Sequence, residues 1–206
     1  MTRGRWSARA VVVATGPFQA PFVPACAGKL APEIVQVHSS AYRNLAGLPP
    51  GRVLVVGSGN SGAQIAEDLT RTHDVTVALG RPQPALPQRL LGRDIFDVLA
   101  PLGFLDVPAT SPLGRRLRQR DPVIGTDLRR LERAGRLRLA SRVRDASGQA
   151  LLTVDGRRLE VEAVVWATGF QPDYGWLDVP VLDERDHPVH EGGVTGVPGL
   201  SFLGLP

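Results

Sequence analysis

The stretch VLVVGSGNSGAQIAEDL, residues 53–69, decides how the chain is read. Val53, Leu54, Val55 and Val56 form a short aliphatic run of the kind that makes a buried strand. Three glycines follow at the spacing Gly57-x-Gly59-x-x-Gly62. Past them the pattern turns helical, with Ile65, Ala66 and Leu69 on one face and Gln64, Glu67 and Asp68 off it. Strand, glycine turn and helix in that order are the context a dinucleotide-binding fingerprint requires. In that reading Gly57 permits a tight turn, Gly59 lets the backbone approach a pyrophosphate, and Gly62 lets helix and strand pack closely. The helix N-terminus then offers free N–H groups and a partial positive charge to the pyrophosphate. In a chain with 23 glycines, a purely structural turn is the competing reading.

About 20 residues after the glycines, at the end of a second strand, such a site needs a contact for the adenosine ribose. The strand Val75-Thr76-Val77-Ala78-Leu79 closes not on an acid but on Gly80-Arg81. A carboxylate would accept bonds from a ribose 2′-hydroxyl and repel a 2′-phosphate. An arginine does the reverse, because its planar fork matches phosphate oxygens. Arg81 therefore favours NADP(H); the alternative is a solvated loop arginine.

The chain also echoes itself. Arg9-Ala10-Val11-Val12-Val13-Ala14-Thr15-Gly16 is matched by Glu162-Ala163-Val164-Val165-Trp166-Ala167-Thr168-Gly169, two buried-strand runs that each close on Ala-Thr-Gly. With these residues the chain resembles the NADPH-using flavin monooxygenases and related flavoproteins with two dinucleotide-binding domains. Gly57-Ser58-Gly59-Asn60-Ser61-Gly62 resembles the family's NADPH loop, and His38-x-x-x-Tyr42-Arg43 resembles half of its identifying motif. The other half, F-x-G, is replaced by Pro32, Glu33 and Ile34, which fits bacterial oxidoreductases carrying HSSxYR better than the N-oxygenating subgroup. Residues 198–205 resemble the last strand of the family's FAD domain.

The resemblance implies an α/β fold: a Rossmann-like NADP-binding domain with partial remnants of an FAD-binding Rossmann domain. Its expected parts are an FAD-domain remnant over residues 1–16, a linker over 17–51, the NADP-binding domain over 52–169, and a C-terminal FAD-domain remnant over 170–206. It implies two cofactors, NADP and FAD, with Ala14, Thr15, Gly16, Ala167, Thr168 and Gly169 as cofactor-binding residues beside the 57–62 loop and Arg81. No FAD-type GxGxxG precedes Val53. The FAD site is thus expected to be incomplete, and the chain to be the middle and later part of a larger flavoprotein. No side chain stands out as a general acid or base. His38 and Tyr42 are candidates for positioning or for linker packing. Asn60 either points toward the flavin–nicotinamide contact or caps the helix that follows it.

Composition narrows the alternatives. At 206 residues and 43% hydrophobic, the chain can bury one domain and part of another. The single cysteine, Cys26, excludes an internal disulfide and the Cys-x-x-Cys pair of disulfide reductases. His187 and His190 sit among prolines and glycines, a poor setting for a metal. No apolar run approaches the roughly 20 residues of a membrane span. No signal peptide is visible at the start, so a cytoplasmic location is expected. A net charge of +4 invites a nucleic-acid reading, but residues 115–144 interleave arginines with leucines and acids and carry no aromatic residue for base stacking. Lys29 is the only lysine, which points to a general arginine bias.

The finer pattern predicts a short helix around residues 95–99 and a longer one around 126–134 capped by Gly135. It also predicts a strand over 136–140 and a hairpin turning at Asp155-Gly156. The expected function is an FAD-dependent, NADPH-using oxidoreductase, a flavin monooxygenase acting on a small organic substrate. The alternative is a non-catalytic nucleotide-binding fragment of a decayed or mis-started flavoprotein gene.

Overall fold

The computed structural model describes residues 4–80, 84–90, 92–102, 111 and 122–205. They fall into two compact units, one formed by Val23–Thr168 and one by Met1–Phe22 with Gly169–Pro206.

The larger unit is built on a five-stranded sheet. Its strands are β3 (Val35–His38), β4 (Arg52–Val56), β5 (Asp74–Ala78), β10 (Arg138–Ala140) and β14 (Ala163–Trp166). They run parallel in the order β10-β5-β4-β14-β3. A parallel sheet must be covered on both faces, and the residues of β4 show how this is done. Val53 and Val55 point to a cluster with Ala63, Ala66 and Leu69 of helix α1 (Asn60–Leu69) and Leu128 and Leu131 of helix α3 (Leu128–Arg133). Leu54 and Val56 point the other way, to Leu151, Val161, Trp166, Ala27, Leu30 and Ile34. That second face is roofed by an antiparallel meander of β11 (Val143–Ser147), β12 (Ala150–Thr153) and β13 (Arg158–Glu160), together with the 3₁₀ turn Ala25–Lys29. Each fully buried aliphatic side chain contributes roughly 1.5–3 kcal/mol, so the central strand anchors the unit.

Local signals behave as the sequence predicts at several points. Asp127 caps α3 by accepting the N–H groups of Arg129 and Arg130, and Gly135 (φ +67°) ends it with the Arg136 N–H bonded to the Leu131 carbonyl. Gly156 (φ +84°) turns the hairpin between β12 and β13. A short helix α2 occupies Ile95–Leu99, preceded by the ribbon β7 (Arg89–Leu90) and β8 (Arg93–Asp94). Two elements lie outside the sequence pattern. The proline-rich segment read as a linker supplies β3, which pairs with β14 from Ala163↔Val35 to Trp166↔His38. As an edge strand with Val35 and Gln36 exposed, it lacks the continuous apolar run that marks a buried parallel strand. β11 is masked in the same way, because only Ala146 of its residues is buried.

The smaller unit has no helix among its described residues. Strand β1 (Val11–Val13) pairs in parallel with β16 (Leu200–Phe202), and β2 (Ala20–Pro21) pairs with β15 (Phe170–Gln171) in antiparallel fashion. Its core is Val13, Tyr174, Val181 and Phe202, with Tyr174 set edge-on to Phe202 at 5.8 Å between ring centres.

Candidate dinucleotide site

β4 ends at Val56, and the chain turns at Gly57 with φ +115°. A side chain there is ruled out twice, by that dihedral and by space. A Cβ on Gly57 would lie 2.1 Å from the Ala167 carbonyl oxygen. The contact joins the carboxyl ends of β4 and β14, where the Ala167 N–H also bonds the Val56 carbonyl at 2.9 Å. From β4 the chain moves through α1 to β5 on one side, while β14 flanks β4 on the other. The 57–62 turn therefore sits at the topological switch point of the sheet, where open α/β sheets leave a crevice for ligands.

Gly62 belongs to the first turn of α1 and is buried. A Cβ on it would meet the Gly57 carbonyl oxygen at 2.2 Å, so its lack of a side chain seats the helix on the turn. Gly59 is different. It is the N-cap residue, with φ −71° and ψ −176°, a conformation open to any residue. No side chain caps α1, and no acid lies in its first turn. Helix geometry leaves the first N–H groups without intrahelical acceptors, so this end presents an electropositive row of donors. That arrangement suits an anion such as a pyrophosphate.

The remaining loop residues are held from the side. Ser58 Oγ accepts the Gly80 N–H at 3.2 Å, tying the turn to the end of β5. Ser61 is exposed. Asn60 departs from the capping reading. Instead of capping α1, its side chain bonds the backbone of residues 122–124. Arg81 lies outside the described residues. Next to the end of β5, Leu79, Arg129, Glu132, Arg133 and Leu139 line an open depression.

Ala167 and Thr168 extend β14 beside the turn, within the larger unit. Gly169 opens the smaller unit with φ +83°, and Gly16 closes the first Ala-Thr-Gly with φ +65°. Thr15 Oγ1 and the Gly16 carbonyl both accept from Gln19 Nε2, at 3.0 and 2.7 Å, and Gln19 Oε1 accepts the Asp173 N–H. This role of Gln19 as a tie between residues 15–16 and Asp173 was not legible, since nothing in its sequence context sets it apart from a loop glutamine.

The His38, Tyr42 and Arg43 motif is engaged in structure. His38 Nδ1 accepts the Ser40 N–H at 3.1 Å, and Arg43 Nη1 bonds the Ser40 carbonyl at 2.8 Å. Tyr42 donates to Asp68 Oδ2 at 3.0 Å, which pins its segment to α1. Burial, then the bond to the Asp68 carboxylate, pushes the Tyr42 phenol up to about 12.

Comparison with known proteins agrees with this geometry. Residues 1–86 match the L-lysine 6-monooxygenase/L-ornithine 5-monooxygenase family. The chain is 43% identical to an oxidoreductase CzcO-like protein of Geobacillus kaustophilus over 98% of its own length and 59% of that protein's. It is 37% identical to the oxidoreductase CzcO of Bacillus subtilis, covering 60% of it. The chain thus spans about three fifths of the length of these relatives. Among solved structures, a flavin-containing monooxygenase from Stenotrophomonas maltophilia superposes with a TM-score of 0.69 at 23% identity, over 96% of this chain and 55% of that one. The chain is thus similar over nearly its whole length to CzcO-type oxidoreductases and in its first 86 residues to a monooxygenase family, and it shares the α/β fold of the solved flavin-containing monooxygenase.

Proposed function

We propose that the chain binds NADP(H) on the 57–62 turn, and that it serves an NADPH-dependent flavin monooxygenase reaction on a small organic substrate within a protein of its relatives' length. The observation that carries this reading is the first turn of α1. It carries no capping side chain and no acid, and it lies at the switch point between β4 and β14.

In this reading the backbone N–H groups of the first turn hold the pyrophosphate, and Ser58 keeps the turn aligned with the end of β5. Arg81 takes the 2′-phosphate, with Arg129 and Arg133 of the depression beside Leu79 adding positive charge that Glu132 partly offsets. Ala167 and Thr168 border the crevice on the β14 side. When bound, the nicotinamide supplies a hydride; the residues of this chain bind and orient it.

The implied FAD fits less well. Its pyrophosphate calls for a second helix N-terminus, and the smaller unit, which carries Ala14, Thr15, Gly16 and Gly169, has no helix among its described residues. The described residues therefore form no FAD phosphate cradle, and no step through the flavin is derived from them.

Calorimetric titration with NADP⁺ and NAD⁺ tests the cofactor preference. Loss of a charge-assisted bond is worth roughly 1.5–3 kcal/mol, so Arg81→Ala should weaken NADP⁺ on the order of 10–100-fold. NAD⁺ affinity should stay nearly unchanged. Equal weakening of both would remove Arg81 from the 2′-phosphate role.

A further inference from the structure

The side chain of Asn60 makes a pair of bonds that the dinucleotide fingerprint does not call for. Its Nδ2 donates to the Pro122 carbonyl at 3.2 Å, and its Oδ1 accepts the Ile124 N–H at 2.8 Å. A carbonyl and an N–H two residues apart are what a strand offers to a neighbouring strand along one edge. The opposite edge of this segment is already taken. Strand β9 (Val123–Ile124) runs parallel to β6 (Ala85–Leu86), with the Val123 N–H on the Pro84 carbonyl and the Gly125 N–H on the Leu86 carbonyl. The Asn60 amide thus stands in for a third strand on the edge that β6 leaves open.

Two further contacts run the same segment along α1. Thr126 Oγ1 donates to Glu67 Oε2 at 2.7 Å, two helical turns after Asn60. Between the two ties, the Val123 side chain is buried in the core cluster that contains Ala63 and Ala66. Only a carboxamide can both donate to Pro122 and accept from Ile124. Serine is too short to bridge them, and aspartate lacks the donor.

We propose that Asn60 is a positioning residue. It straps residues 122–126 to α1 and so fixes the β6–β9 ribbon relative to the first-turn amides, among them its own N–H, that hold the cofactor pyrophosphate. This rests on the nucleotide-binding reading. The side chain holds the strap while the backbone faces the phosphate, so strap position and cofactor binding are linked through one residue.

The test combines hydrogen exchange with NADP⁺ titration on the full chain, using Asn60→Ala and Thr126→Val. Asn60→Ala should speed exchange at the Ile124 amide at least tenfold and weaken NADP⁺ about 5–20-fold. Thr126→Val lies two turns from the first-turn amides and should weaken NADP⁺ in the same direction by a smaller factor, about 2–5-fold. It carries the test if Asn60→Ala fails to fold. NADP⁺ should slow exchange at Ile124 in the wild type and lose that effect in Asn60→Ala. Faster exchange with undiminished NADP⁺ affinity in both variants would reduce the strap to a structural tie and overturn the proposal. Weaker NADP⁺ in Asn60→Ala with Ile124 exchange unchanged would show direct ligand contact instead, and would also overturn it. A wild type that binds no NADP⁺ while Ile124 still loosens in Asn60→Ala would overturn the nucleotide reading, and the positioning role with it.

Discussion

Strands β1 and β14 carry nearly the same sequence, Ala10-Val11-Val12-Val13-Ala14-Thr15-Gly16 and Ala163-Val164-Val165-Trp166-Ala167-Thr168-Gly169, yet they stand in different surroundings. Every residue of β14 is at most 1% exposed, between β4 and β3 and under cover on both faces. In β1 only Val13 is buried; Val11 and Val12 are 51% and 59% exposed, and among the described residues β16 is the one strand paired with it. The local pattern specifies a strand that ends on a left-handed glycine. It does not specify what covers that strand, because cover comes from elements far away in sequence. The comparison turns this into energetics: the same substitution should be ruinous in one copy and mild in the other.

The widest gap should appear with a buried charge. Val164→Lys places an ammonium among Leu54, Leu151 and Trp166 with no partner, and should prevent folding of the larger unit. Val12→Lys should change stability by about 0.5 kcal/mol or less, as an exposed substitution does. Circular dichroism and urea unfolding of the two variants would show the contrast, and similar losses in both would break it. The glycines that follow the strands sharpen it. Gly57→Ala must fit a Cβ 2.1 Å from the Ala167 oxygen at φ +115°, and should cost several kcal/mol, roughly the sum of overpacking and backbone strain. Gly16→Ala has open space around it and should cost only about 1–2 kcal/mol for the left-handed backbone.

What was legible in the sequence is what short-range chemistry controls. The β4–turn–α1 unit, the Gly135 cap and the Asp155-Gly156 turn each lie within a few residues of their own signal. The rest depends on distant partners. β3 is recognisable only once β14 is beside it, and the Asn60 side chain is settled by backbone 62 and 64 residues away. The arginines that suggested a basic surface are partly accounted for by individual neighbours. Arg138 pairs with Asp74, and Arg136 donates to Thr70 Oγ1.

A smaller effect distinguishes the fastening of α1 by pH. The Tyr42 phenol is raised to about 12 against an ordinary value near 10. The stability it contributes is fully present below pH 10 and is lost as pH rises through about 12. Tyr42→Phe should cost about 1.5 kcal/mol at neutral pH and flatten the alkaline fall of unfolding midpoints over that window. Parallel alkaline curves for variant and wild type would place the source elsewhere. Smaller still is the acid limb at Glu162, whose carboxyl is held below the usual range by the Arg52 guanidinium and backbone N–H. Its contribution is present above the ordinary carboxylate value and is lost as pH falls through the depressed one, so Glu162→Gln should slightly flatten the acid limb of the same curves.

The central claim is that the 57–62 turn and the first turn of α1 hold a dinucleotide pyrophosphate. Gly59→Val addresses it most directly, because the Gly59 backbone at φ −71° accepts valine without strain while a side chain there would stand between backbone and phosphate. Calorimetric titration with NADP⁺, beside circular dichroism of the same samples, should show binding in the wild type. In Gly59→Val it should show an intact fold with binding abolished. A folded Gly59→Val chain that still binds NADP⁺ with wild-type affinity would contradict the claim.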